Sequence, residues 1–169
     1  VKDLLSIMKY FLSDTTCQIL LLPHEATLYK ANDFELCEMI MNYINGMGRV
    51  FMLDGKETAS DTKAIIGMCD FLVASRYHSL IAAMSMRVPT VVIGWSHKYD
   101  EVMRELGLER WVIDPVNRPG SATREIVIDA WNNRRETRRV LDEQVHRLES
   151  KSGFALQRMV DTIRNLKCL

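Results

Sequence analysis

Two patterns of hydrophobic and polar positions alternate along the chain and predict different elements. Short apolar runs are typical of parallel strands buried on both faces, and they occur at residues 17–22, 50–53, 70–74, 91–93 and 111–114. Between them apolar residues recur at helical spacing; residues 2–12, for example, place Leu5, Met8 and Leu12 on one face. The sequence therefore predicts an α/β fold in which about five parallel strands form one sheet with helices on both faces, a Rossmann-like three-layer sandwich.

Capping and breaking residues set the ends of the predicted helices. Asp33 is expected to be the N-cap of the helix that ends near residue 44, and Ser60 or Asp61 the N-cap of the helix that ends near residue 68. Gly107 is expected to end the helix that starts near residue 99. These helices are predicted at residues 33–44, 61–68, 80–86 and 99–106.

Residues 121–169 have a different pattern from the rest of the chain. Residues 121–150 have the pattern of one long helix, Gly153 is expected to end it, and a final helix is predicted from residue 154 to about 167. We therefore expect two units: an α/β lobe at residues 1–120 and a helical C-terminal tail at 121–169 that packs on it.

Composition narrows the class of protein. Lysine plus arginine equals aspartate plus glutamate at 22 each, so the overall charge favours neither nucleic acid nor an anionic membrane. No apolar run approaches the ~20 residues of a membrane span. The four cysteines lack metal-ligand spacing, which predicts reduced thiols, no metal site and no cofactor. The start of the chain resembles a helix entered midway, not a signal peptide, so a cytoplasmic protein is expected.

Polar turns follow three of the predicted strands, and they carry the candidate chemistry. His24 follows the first, Arg76, His78 and Ser79 follow the third, and Lys98 follows the fourth. Because the carboxyl ends of parallel strands share one edge of a sheet, we expect these side chains to converge there. An arginine can hold a carboxylate or phosphate through two hydrogen bonds, and helix starts favour anions. The pattern predicts an anion site in which His78 serves as a general acid.

Each of these signals has a simpler interpretation. Arg76 could form a surface pair with an aspartate, His78 and His24 could be held by backbone hydrogen bonds, and Lys98 could be solvated. The arginines of the tail helix fit a solvated face, since a nucleic-acid surface would need interleaved aromatic residues and a net basic domain. The usual motifs of dinucleotide, P-loop, zinc-protease and serine-hydrolase sites are absent from the sequence.

The order of the segments resembles a known family. LLLPHE at 20–25, NDF at 32–34 and the stretch DTKAIIGMCDFLVASRYHSLIAAMSMRVPTVVIGWSHKYDEVMRELGLERWVID at 61–114 follow the order seen in the C-terminal half of polysaccharide pyruvyl transferases. The resemblance covers roughly residues 15 to 115. It implies the C-terminal lobe of a fold like that of B-type glycosyltransferases.

The resemblance also implies an activity. A pyruvyl group would pass from phosphoenolpyruvate to a pair of hydroxyls on a saccharide acceptor, forming a ketal. Arg76 and His78 match the family's R-x-H positions, with the arginine expected to bind the donor and the histidine to act as acid or donor ligand. Lys98 matches the family's lysine after the next strand, where an anion contact is expected. His24 matches the family's P-H position, for which the resemblance implies no definite role. The family's N-terminal lobe is missing from this sequence, so the chain alone is expected to be inactive.

Two other functions remain open from the sequence. A lobe of the same architecture could bind a nucleotide sugar in a glycosyltransferase or sugar epimerase. The chain could also be a non-catalytic interaction module whose tail helices bind a partner.

Overall fold

Helices and parallel strands alternate through most of the chain in the computed structural model, which describes residues 2–24, 32–44, 48–94, 96–117 and 120–166, without the side chains of 120, 121 and 154–166. The helices are α1 Lys2–Asp14, α2 Asp33–Tyr43, α3 Ala59–Gly67, α4 Tyr77–Ser85, α5 His97–Glu105, α6 Gly120–Asn132 and α7 Arg134–Leu166. The strands are β1 Ile19–Leu21, β2 Val50–Met52, β3 Leu72–Ala74, β4 Thr90–Ile93 and β5 Val112–Ile113, with a 3-10 turn at Glu109–Trp111.

All strand pairs in the described residues are parallel, as the sequence predicted, but the strands form two sheets. β1 pairs with β2, and β4 lies between β3 and β5. The prediction of one continuous sheet is therefore wrong for this part of the chain. The strands are only two to four residues long, and β1 meets the larger sheet through side chains: Ile19 packs against its hydrophobic core.

Helix α1 connects the two cores. Its Ile7 and Phe11 belong to the larger cluster, around β4 and α4, whereas Leu5, Met8 and Leu12 belong to the smaller cluster with β1 and α2. Burying both faces of one helix removes apolar surface from water on each side, which fixes the two sheets relative to the helix.

The helix caps differ from those predicted. Asn32, not Asp33, caps α2: its side-chain oxygen accepts the backbone N–H of Glu35 at 2.8 Å. Thr58 caps α3 in a reciprocal capping box with Asp61, so the predicted cap at Ser60 or Asp61 is wrong by two or three positions. In both cases the capping residue precedes the acidic residue that the sequence pattern favoured. The Gly107 prediction is confirmed, since it follows α5 with a φ of 70°.

The tail breaks at a different place from that predicted. Asn133 separates α6 from α7, with its side-chain amide donating to the Asp129 carbonyl at 2.8 Å and carboxylate at 2.9 Å. Helix α7 continues through Gly153, where a mid-helix glycine costs only about 1 kcal/mol. Val127 on α6 and Leu141 on α7 are fully buried in the larger core. The division into two units at residue 120 stays a prediction.

Arg49 ties the end of α1 to the smaller sheet. Its guanidinium donates to the carbonyls of Thr15 at 2.8 Å and Cys17 at 3.1 Å, and also to the carbonyl of Leu12. Its own carbonyl accepts the N–H of Ile19, the first residue of β1, at 2.9 Å. One cation therefore satisfies a carbonyl in the last turn of α1, where positive charge is favoured, and two carbonyls of the connection to β1, and it aligns the strand that follows.

None of the helices in the described ranges combines the length and apolar character that crossing a membrane requires.

Candidate functional site

The connection after β1 meets the first turn of α4. β1 ends at Leu21, and buried Pro23 leads the chain to His24. Ser79, in the first turn of α4, is only 4% exposed, and its Oγ lies 2.7 Å from Nε2 of His24. The two residues are 55 positions apart in sequence. The contact therefore joins the two sheets at the ends of β1 and β3, where the sequence predicted a shared edge.

A second contact joins the start of α2 to the start of α4. The carboxylate of Asp33, the first residue of α2, holds Arg76 in a two-point pair, with 2.7 Å from Oδ1 to Nη2 and 3.0 Å from Oδ2 to Nε. Oδ2 also accepts the backbone N–H of His24 at 3.3 Å. Asn32 is the N-cap of α2, so the Asp33 carboxylate is not needed to accept the backbone N–H groups of that helix and pairs with Arg76. The interpretation of Arg76 as a partner of an aspartate is confirmed.

Helix α4 starts earlier than predicted, and this changes the position of the R-x-H residues. The helix begins at Tyr77, not Leu80, with Arg76 as its N-cap and no side-chain cap hydrogen bond. His78 lies within the first turn, is exposed, and stands edge-on to Tyr77 with ring centroids 6.3 Å apart. The amides of a first helical turn have no partner within the helix, so this turn carries partial positive charge beside Arg76.

The start of α5 lies beside the same turn. The Tyr99 hydroxyl donates to the Ser75 carbonyl at 3.0 Å, and the Tyr99 and Tyr77 ring centroids are 6.1 Å apart. A Cβ at Gly94 would come within 2.4 Å of the Tyr99 ring, so glycine at the end of β4 gives the ring room. Lys98 precedes Tyr99 and is exposed. The site is thus flanked by a second helix start, whose cap is Ser96.

The structure brings the predicted residues together unevenly. His24 bonds to Ser79 and is linked to Arg76 through Asp33, whereas His78 and Lys98 lie beside this group on the helix starts. Of the five predicted residues, only Ser79 is buried. The sequence reasoning missed Asp33, which it assigned to helix capping. The adjacent Asn32 was the available signal, because asparagine caps helices as well as aspartate does and leaves the acid for another role.

The surroundings of His24 favour its neutral form. Burial lowers the pKa of His24 below its usual 6.5, and the positive charges of Arg76 and His78 lower it further, while the carboxylate of Asp33 raises it. A neutral imidazole with an unprotonated Nε2 accepts a hydrogen bond from the Ser79 hydroxyl, which matches the 2.7 Å contact.

This shift predicts how stability depends on pH. A histidine with a lowered pKa binds fewer protons in the folded than in the unfolded state, so stability falls as pH drops from 6.5 through the lowered value. His24→Gln keeps an acceptor for Ser79 but cannot titrate, so we expect its free energy of unfolding to fall less over this range. Urea unfolding of both proteins between pH 5 and 7.5 measures the difference. Equal pH slopes would contradict the prediction, and His146→Gln, a change at an exposed histidine on α7, is the matched control.

Together the fold and the grouped side chains define an α/β protein with parallel strands and a hydrogen-bonded candidate site at the ends of β1 and β3. Residues 5–97 match the family model described as polysaccharide pyruvyl transferase. This range is more than half of the 169-residue chain, and the chain belongs to the polysaccharide pyruvyl transferase family. It includes His24, Arg76, His78 and Ser79, and Lys98 lies one residue beyond its end. No solved structure matches the chain.

Proposed function

We propose that this chain is the donor-binding lobe of a polysaccharide pyruvyl transferase and binds phosphoenolpyruvate at the ends of β1 and β3. The observation that carries the proposal is the joining of His24, Ser79, Arg76 and Asp33 across two sheets, next to the first turn of α4. We further propose that the two short sheets belong to one Rossmann-like lobe of a B-type glycosyltransferase-like fold.

The ligand explains the composition of the site. Phosphoenolpyruvate carries a phosphate and a carboxylate, so its binding needs cations and amide donors placed close together. Arg76 offers a planar guanidinium suited to either group. The first-turn amides of α4 offer neutral donors of the kind found in phosphate sites. The hydroxyl of Ser79 donates to His24 in this structure, and we propose that it turns to the phosphate when the donor binds. Lys98, on the neighbouring helix start, supplies a further positive charge.

The reaction requires an acid. Protonation of the methylene carbon of phosphoenolpyruvate makes C2 electrophilic, and an acceptor hydroxyl then adds to C2 and loses its proton. A second hydroxyl of the same sugar then displaces phosphate from C2 and gives its proton to the departing phosphate, which completes the ketal. His78 is exposed beside Arg76 and is the proposed proton donor. His24 favours its neutral form and is therefore assigned to hydrogen bonding with the donor, together with Ser79.

Asp33 occupies the donor groups of Arg76 that a ligand would need. Its carboxylate occupies the Nε–Nη2 edge of Arg76 as a ligand carboxylate or phosphate would. Asp33 is also held by the His24 N–H and lies in the first turn of α2, where negative charge is favoured. The Arg76 side chain is 44% exposed and that of Asp33 24%, so water screens the pair from the arginine side and its contribution is expected near the upper end of about 0–1 kcal/mol. A multiply charged donor would therefore compete successfully with Asp33 for Arg76.

Ligand-induced stabilisation tests the proposal. A ligand at 100 times its dissociation constant should stabilise the folded chain by about 2.7 kcal/mol. We expect phosphoenolpyruvate to raise the melting temperature in a saturable manner, and UDP-glucose at equal concentration to have no such effect. A saturable shift with UDP-glucose alone would favour a nucleotide-sugar lobe. The absence of a shift with either compound would favour a non-catalytic interaction module.

A further inference from the structure

A polar stripe runs along the outer face of α1, away from the residues of the donor site. Lys2, Ser6, Lys9 and Ser13 are spaced four, three and four positions apart, so they lie on one face of the helix. Lys2, Lys9 and Ser13 are exposed, and Ser6 is half-buried. With a rise of 1.5 Å per residue, the stripe is about 16 Å long. Ammonium and hydroxyl groups alternate along it.

Residues from two other helices turn this stripe into a groove. Tyr43, the last residue of α2, and Arg124 of α6 line it together with Tyr10 of α1. The groove has a volume of about 490 Å³ and contains none of the residues assigned to the donor site. Tyr43 is 67% exposed although it is a large aromatic side chain, so its ring is presented to solvent instead of to the core.

The charges of the groove are strongly unbalanced. Lys2, Lys9 and Arg124 line it together with one carboxylate, that of Asp14, whereas the whole chain carries no net charge. The Lys9 ammonium lies 5.4 Å from the Tyr43 ring centroid, and the Arg124 guanidinium 5.7 Å from that of Tyr10. Cations that rest on aromatic rings keep their charge and are held in place. The groove therefore has positioned positive charges along an extended floor.

We propose that the groove between α1, α2 and α6 binds an acidic saccharide chain. Tyrosine rings offer flat amphipathic surfaces to the C–H faces of sugar rings, the serine hydroxyls pair with sugar hydroxyls, and the cations pair with carboxylates. The choice of a saccharide rests on the proposed function, because every pyruvyl ketal adds a carboxylate to its polymer. A groove on a separate face would hold a modified stretch of that polymer while the donor site remains accessible.

Binding of a uronic-acid oligosaccharide tests this proposal. We expect the intact chain to bind oligogalacturonate, to bind a neutral glucan of equal length at least about fivefold more weakly, and to lose affinity as salt rises. Lys9→Ala and Arg124→Ala should each weaken oligogalacturonate binding about fivefold, and Tyr43→Ala should weaken it as well. Lys63→Ala and Arg139→Ala remove exposed cations of α3 and α7 and should leave the affinity unchanged.

Two results would overturn the proposal. One is equal oligogalacturonate affinity in the groove variants and the control variants. The other is equal or tighter binding of single-stranded DNA carrying the same charge, which would indicate a general polyanion surface. The groove variants should keep the thermal shift with phosphoenolpyruvate, whereas Arg76→Gln should need about 10- to 100-fold more phosphoenolpyruvate for the same shift and still bind oligogalacturonate. Failure of the groove and failure of the donor site therefore give different results.

Discussion

Replacing Arg76 with glutamine is expected to weaken phosphoenolpyruvate binding by about 10- to 100-fold. Hydrogen bonds to charged groups contribute about 1.5–3 kcal/mol, and each 1.4 kcal/mol corresponds to about a factor of ten in the dissociation constant. Glutamine removes both the charge and the planar pair of donors. Arg76→Lys keeps the charge without that geometry and should give an intermediate affinity.

Asp33→Asn is expected to change the affinity in the opposite direction. Asparagine cannot form the two-point ion pair that occupies Nε and Nη2 of Arg76. Removing a competing pair worth about 0–1 kcal/mol should tighten phosphoenolpyruvate binding by up to about fivefold. In the double variant Asp33→Asn, Arg76→Gln, the gain should vanish because there is no guanidinium to release.

Isothermal titration calorimetry of these variants measures the effects directly. Arg139→Gln makes the same chemical change at a 78% exposed arginine of α7 and should leave binding unchanged. An Arg76→Gln protein that binds phosphoenolpyruvate as tightly as the parent would exclude Arg76 from the donor site. Weaker binding by Asp33→Asn would show that the carboxylate orients Arg76 for the donor and does not compete with it.

Arg49→Met is expected to lower the free energy of unfolding by about 2–3 kcal/mol. The change leaves three backbone carbonyls, those of Leu12, Thr15 and Cys17, without their donor. A fully buried acceptor without a partner costs about 1–3 kcal/mol. Because water reaches part of this half-buried connection, the cost for the three carbonyls together is expected to be well below three times that value. Loss of the cation also exposes the end of the α1 dipole.

Urea denaturation measures this loss as a shift of the midpoint at constant slope. Arg49→Lys should recover part of the stability, because one ammonium lacks the fork geometry that reaches carbonyls in three directions. Arg139→Met is the matched control and should change stability by less than about 0.5 kcal/mol. If Arg49→Met changed the free energy of unfolding as little as the Arg139→Met control, the contacts at the end of α1 would contribute nothing to stability. Since Arg49 aligns β1, a loosened variant should also bind phosphoenolpyruvate more weakly through His24.

Most of the secondary structure could be predicted from local sequence patterns. The alternation of apolar runs with helical periodicity depends on which face of each element is buried, and neighbouring residues determine that. The sequence therefore placed the five strands found in the described residues, and the motif order led to the family. The ends of the elements were less accurate: α4 begins three residues before the predicted start, because the polar R-x-H residues were assigned to a turn.

The sequence by itself determined the kind of protein, a parallel α/β chain with cationic and hydroxyl side chains after its strands, because hydrophobic periodicity and turn chemistry are short-range properties. Only the tertiary structure decided which of those side chains meet. Asp33 and Arg76 are 43 positions apart, and His24 and Ser79 are 55 apart. Their contacts depend on how α1 buries its two faces and brings two separate sheets together, and no local pattern encodes that packing. β1 and β3 do not pair with each other. The segments that follow them are joined instead by the Asp33–Arg76 ion pair and the His24–Ser79 hydrogen bond.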